Sequence, residues 1–126
     1  MTFKRAMLFL PFALAACGGD GVDKAASAKV EKGARVFERV CSACHAIGGG
    51  NRVGPDLKGI IGRHVGSAPG FAYSDAMKAD AASTWSDERI KSFVMGPLQM
   101  YPEGRMVISP MSPEDADAVV AYIKDQ

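Results

Sequence analysis

The sequence lacks the features that mark membrane-spanning, nucleic-acid-binding or sheet proteins. Its longest apolar run, Ala6 to Ala16, is eleven residues interrupted by Pro11. A membrane-spanning helix needs about 20 apolar residues, so no segment reads as a span. There is no excess of either charge, with 15 Lys and Arg against 14 Asp and Glu. That balance argues against nucleic acid as a partner, which requires a basic surface. No stretch alternates apolar and polar residues as a half-buried strand does, and no segment repeats. Three cysteines, Cys17, Cys41 and Cys44, are an odd count, which leaves a thiol that needs an account. The only histidines are His45 and His64.

What is present begins with a leader. Lys4 and Arg5 precede the apolar run, and together Met1 to Ala16 read as a bacterial export signal. Without those two cations, 13 basic and 14 acidic side chains remain, on about 110 residues that fit one domain. The charges are uneven: residues 17–79 carry 9 basic and 6 acidic groups, residues 80–126 carry 4 and 8. Such a dipole orients docking or is simply a solvated surface.

Residues 17–28 are rich in Gly, Ala, Ser and Asp without apolar periodicity, and read as a flexible linker. The domain expected to follow is 29–126. Val30, Ala34, Phe37 and Val40 recur at helical spacing and predict a helix over about Lys29 to Val40. Residues 48–70 hold eight glycines and two prolines, which excludes long regular elements and suggests chain wrapped around something rigid. A short helix is expected over Tyr73 to Lys78. Thr84 or Ser86 caps another from Asp87 to Met95, which Gly96 and Pro97 end. The best-signalled helix is the last. Ser112 is its N-cap, Pro113 its first residue, and Glu114 and Asp115 suit its dipole. The fold class is all-α.

Chemistry concentrates in Cys41-Ser42-Ala43-Cys44-His45, the C-x-x-C-H pattern of covalent haem c attachment. Two cysteines three apart at a helix end lie on one side of the chain, where their sulfurs can add to the two vinyl groups of a porphyrin. The following His45 then points its imidazole at the iron. A zinc site needs four ligands, and a thioredoxin-like pair needs a βαβ context; neither is present. A second axial ligand must come from His64, Met77, Met95, Met100, Met106 or Met111. Spacing does not choose among them, because methionine is usually a core filler. Met106 follows the turn-forming Tyr101-Pro102-Glu103-Gly104-Arg105, a context suited to presenting a thioether.

At this point the chain resembles a family, the class I cytochromes c, most closely the mitochondrial and bacterial cytochrome c2 type. Gly33, Phe37 and the CSACH motif match the first helix and attachment site. Gly54-Pro55-Asp56-Leu57, Gly59, Gly62-Arg63 and Ala68 to Tyr73 match the loop under the haem. Trp85, Pro97, Pro102 and Met106 match the distal side, and Ala121-Tyr122-Ile123 the last helix. The resemblance implies four to five helices around one covalently bound haem c. It implies thioethers at Cys41 and Cys44, iron ligation by His45 and Met106, and a hydrogen bond from His45 to the carbonyl of Pro55. Arg63, Tyr73 and Trp85 are implied to bond or screen a buried propionate, and Gly33 and Phe37 to pack on Tyr122. Taken alone, the aromatics would be core residues, Pro55 a turn residue and Arg63 a solvated charge. Gly104, Phe93, Ile108 and Met77 depart from the family pattern, which leaves the potential and docking surface open.

The function implied is that of an electron carrier, a monomer and not an enzyme, working between membrane redox complexes: a cytochrome bc1-like donor and an oxidase-like acceptor. A haem peroxidase or a sensor would need an open sixth position. Leu14-Ala15-Ala16-Cys17 resembles a lipobox, the lipidation signal of bacterial lipoproteins. Lipidated Cys17 would hold the domain at the periplasmic face of a membrane, on a linker reaching roughly 20 Å. The rival expectation is cleavage after Ala15 and a soluble periplasmic protein.

Overall fold

The computed structural model describes residues 20–126. The expected export signal and Cys17 lie outside the described residues. Five α-helices follow in order: α1 Asp20–Val36, α2 Asp75–Ala79, α3 Asp87–Met95, α4 Pro97–Met100 and α5 Pro113–Asp125. Among the described residues the only strand-like pairing is an isolated antiparallel bridge between His64 and Thr84. The all-α class and the count of four to five helices hold.

Local chemistry explains the elements. Ser86 Oγ accepts the Arg89 N–H at 3.1 Å and starts α3. Ser112 Oγ accepts the Asp115 N–H at 3.1 Å and starts α5, with Pro113 in the first turn. Both helices occupy the expected spans. The second helix begins at Asp75, two residues later than expected, because Ser74 caps it through the Met77 N–H at 3.4 Å. Pro97 starts α4, one turn that the sequence reading passed over as a terminator.

The first helix departs most. It begins at Asp20 instead of Lys29, so residues 20–28, expected as a flexible linker, are helical. Residues 21–29 are all exposed, so no buried stripe announces this extension. Lys24, Ala25, Ala26 and Ala28 are good helix formers, and lengthening a nucleated helix is far easier than starting one. At the other end, α geometry stops at Val36, and Phe37–Cys41 forms one wider π turn, closed by Ser42 N–H to Phe37 O at 2.9 Å. Such turns recur at functional sites, and this one delivers Cys41.

The platform for the site is the crossing of α1 and α5. A Cβ on Gly33 would lie 2.0 Å from the carbonyl oxygen of Ala118 and 2.7 Å from Tyr122 Cβ, so only glycine permits this approach. Phe37 packs on Tyr122 with ring centroids 5.5 Å apart, as expected. Val36, Ala116, Val119, Val120 and Ile123 bury the seam, and Ile90 and Val94 of α3 extend it. A fully buried aliphatic side chain contributes about 1.5–3 kcal/mol. Ion pairs rim the contact. Lys29 pairs with Asp117, Lys32 with Glu114 at 2.6 Å and Asp115 at 3.0 Å, and Lys124 with Asp87 at 2.7 Å. The basic first half and acidic second half of the sequence thus meet within the fold.

Candidate functional site

The π turn hands directly into the attachment motif. Cys44 N–H and His45 N–H both donate to Cys41 O, at 3.0 and 2.8 Å, so one tight turn carries both thiols and the imidazole. Neither cysteine is paired in a disulfide. Before haem attachment, burial pushes the Cys41 thiol up to about 11, with neighbouring Cys44 adding to the effect.

His45 is oriented from two directions. Its Nδ1 donates to the carbonyl of Pro55 at 2.8 Å. A Cβ on Gly54 would lie 2.2 Å from His45 Cε1 and 2.7 Å from Nε2, so the ring rests directly on the Gly54 backbone. Burial lowers the pKa of His45 against the opposite pull of the Pro55 carbonyl. The ring is therefore neutral at neutral pH, and with Nδ1 donating, Nε2 carries the lone pair a metal would take.

The loop behind this ring is organised by Asp56. Its carboxylate accepts the N–H groups of Gly48 at 2.8 Å, Gly50 at 2.5 Å and Lys58 at 2.8 Å. Those bonds hold its pKa below the usual carboxylate range. Gly48 and Gly50 have φ of 80° and 86°, values suited to glycine. Asn51 accepts the Asp56 N–H at 3.0 Å and donates to Pro69 O at 2.9 Å. Arg63 Nη2 donates to Asp56 O at 2.9 Å.

The other expected residues divide. Tyr73 and Trp85 are buried. Tyr73 Oη accepts the Ala68 N–H at 3.2 Å, so its own proton remains to donate elsewhere. Trp85 packs on Phe93 at 5.1 Å, with the Arg89 guanidinium 5.8 Å above its ring. Met106 is half-buried against the core cluster, as are Met77, Met95 and Met100. Of these four, Met106 alone sits outside a helix. Met111 is buried, and His64 is exposed at the surface, with Nδ1 3.0 Å from Ala81 O.

The arrangement fits a covalently held haem. It offers two free thiols one turn apart, a neutral imidazole with its far nitrogen available, thioethers on an apolar surface that includes Ile47, Ile61, Phe93 and Ile108, and buried or half-buried polar donors. Sequence reasoning missed the Gly54 platform, Asp56, and a contact of Asp80 with Arg89 and Tyr101. Gly54 and Asp56 sit in a quoted motif and were open to discovery there. The third joins residues 21 and 12 positions apart and left no sequence signal.

Comparison with known proteins agrees with this geometry. The family model described as cytochrome c matches residues 30–126. Cytochrome c2 of Agrobacterium tumefaciens (strain II Chrys) is 42% identical over 99 residues, covering 75% of this chain and 88% of its own length. Cytochrome c2 of Blastochloris viridis is 38% identical over 123 residues, covering 95% and 92%. Among solved structures, cytochrome cH from Methylobacterium extorquens superposes with a TM-score of 0.71 at 34% identity, over 77% of this chain and 98% of that one. With the family model spanning nearly the whole described domain and relatives this similar, the chain belongs to the class I cytochromes c: it is a monohaem electron-transfer protein, its haem c covalently held, and not an enzyme.

Proposed function

We propose that this cytochrome shuttles electrons between membrane redox complexes at the periplasmic face, taking them from a cytochrome bc1-like donor and passing them to an oxidase-like acceptor. The observation that carries the reading is the His45 environment: a ring fixed by Gly54 and Pro55 would present its free nitrogen in one geometry through repeated oxidation and reduction. Haem c supplies a one-electron couple between ferrous and ferric iron. The chain supplies the rest. Cys41 and Cys44 would form the thioethers, His45 Nε2 and the Met106 sulfur would hold the iron, and Arg63, Tyr73 and Trp85 would hold the polar edge. The soft thioether favours the ferrous form and raises the potential.

The export signal at Met1–Ala16 and the lipobox-like Leu14 to Cys17 support a periplasmic, lipid-anchored protein. With α1 beginning at Asp20, residues 20–28 are helical where a flexible linker was expected.

Two measurements test the proposal. The holoprotein is mixed with membranes oxidising quinol, then with membranes containing an oxidase, and its visible spectrum is followed. Rapid reduction and reoxidation are expected; exchange with neither membrane overturns the shuttle. Fractionation of cells expressing wild type and Cys17→Ser tests the anchor. Wild type should be in membranes and the variant in the soluble periplasm. Wild type wholly soluble with an unmodified N-terminal peptide establishes the soluble alternative instead.

A further inference from the structure

The distal loop has almost nothing of its own to hold it. From Arg105 to Pro110 the chain makes no hydrogen bond to other described residues. Two posts flank that stretch. On the far side, buried Met111 donates its N–H to Val94 O at 3.2 Å. On the near side stands Tyr101, 5% exposed, at the end of α4. Its N–H donates to Pro97 O at 2.9 Å and its carbonyl accepts the Gly104 N–H at 2.8 Å, so it roots the turn that leads to Met106.

Tyr101 is tied to two further elements through its side chain. Its hydroxyl donates to Asp80 Oδ2 at 2.5 Å and accepts from Arg89 Nη2 at 2.9 Å. Arg89 Nη2 also bonds Asp80 Oδ2, closing the triangle. Asp80 is in turn fixed. It caps α2 through its N–H to Ala76 O at 3.2 Å, and its Oδ1 accepts from Ser83 Oγ at 2.6 Å. Arg89 lies over Trp85, and Tyr101 meets Phe93 edge-on at 5.8 Å. The triangle thus joins the end of α2, the first turns of α3 and the end of α4.

An exposed Asp–Arg pair contributes little, but this one closes on a buried hydroxyl. Burial and the Asp80 contact raise the Tyr101 pKa above its ordinary value, so the phenol remains a donor at neutral pH. Arg89 Nε is buried without a hydrogen-bond partner among the described residues. An unmet donor is costly, so the guanidinium is placed for Asp80 and Tyr101 at the expense of its own full satisfaction.

We propose that Asp80, Arg89 and Tyr101 form a brace that positions the loop carrying Met106 and so sets how firmly its sulfur stays on the iron. The inference rests on the ligand assignment proposed above. None of the three touches the reacting atoms; they are positioning residues that act through the loop. Tyr101→Phe keeps the ring and its contact with Phe93 but removes both side-chain hydrogen bonds.

The test uses ferric holoprotein at neutral pH, with imidazole as the probe, and follows the charge-transfer band between methionine sulfur and ferric iron. Hydrogen bonds to charged groups are strong enough that losing one should raise apparent imidazole affinity by about tenfold. That rise is expected in Tyr101→Phe and separately in Asp80→Asn. The double variant should be little worse than either single, because both break one link. Val120→Ala, which trims a buried side chain in the seam between α1 and α5, is the control for stability alone and should leave imidazole affinity unchanged. Met106→Ala, run alongside, tests the ligand assignment by itself. Loss of the band in Met106→Ala with wild-type imidazole affinity in both brace variants overturns the brace alone. A rise in Val120→Ala equal to that in Tyr101→Phe also overturns it. A band retained in Met106→Ala overturns the ligand assignment and the brace with it.

Discussion

The two sides of the site are built on different plans. Between Cys41 and Leu57 the chain is tied at almost every step: the turn on Cys41 O, Gly54 N–H on Cys44 O at 2.8 Å, His45 on Pro55, Leu57 N–H on Ala46 O at 2.8 Å, and the Asp56 carboxylate gathering three N–H groups. Between Tyr101 and Met111 the chain is tied at its ends and held between them by packing alone. One side is fixed by backbone geometry, the other by a few side chains. The imidazole side is therefore expected to persist when the protein is strained, and the thioether side to open first.

The largest effect should come from filling the space under His45. Gly54→Ala places a carbon 2.2 Å from the ring, and overpacking of this kind typically costs about 1–3 kcal/mol. Gly104→Ala, its counterpart on the distal loop, places a carbon 2.9 Å from Tyr101 O, a milder overlap than the 2.2 Å at His45. Thermal unfolding of the two holoproteins should show a much larger fall for Gly54→Ala. A larger fall for Gly104→Ala would invert the comparison.

Next in size is the proposed ligand, Met106. Met106→Ala should lower the reduction potential and admit external imidazole, whereas Met100→Ala should change both far less. Potentiometric titration of the pair decides it, and the opposite ranking would move the ligand to Met100.

The smallest effect concerns pH. The bonds from Lys58, Gly48 and Gly50 hold the Asp56 pKa below its ordinary 3.8 in the folded state. A depressed carboxylate contributes stability that is present above its unfolded pKa and lost as pH falls through its folded pKa. Asp56→Asn should therefore be less stable than wild type at neutral pH and approach it in acid. Urea unfolding across that range measures the convergence, and a constant gap would remove Asp56 as an electrostatic anchor.

What was legible in the sequence was local. CSACH is one turn of chain, and the Ser86 and Ser112 caps act three residues away. The family resemblance added Gly33 against Tyr122 and His45 on Pro55, contacts across 89 and 10 residues that spacing alone could not reveal. The start of α1 was illegible because an exposed helix without a stripe leaves no periodicity. The Asp80–Arg89–Tyr101 triangle was illegible because it exists only once three helix ends meet. The charge asymmetry could be counted but not interpreted. Much of it is used between α1 and α5, where Lys29 and Lys32 face Asp117, Glu114 and Asp115, and is not free to steer a partner.

The central proposal is that His45 and Met106 would together hold the iron, leaving no site for a small ligand, which is what separates a carrier of electrons from a binder of small ligands. Carbon monoxide binding to the native ferrous holoprotein near neutral pH tests it most directly. Poor binding, rising sharply in Met106→Ala, is the predicted result. Fast, tight binding to the native protein would contradict it.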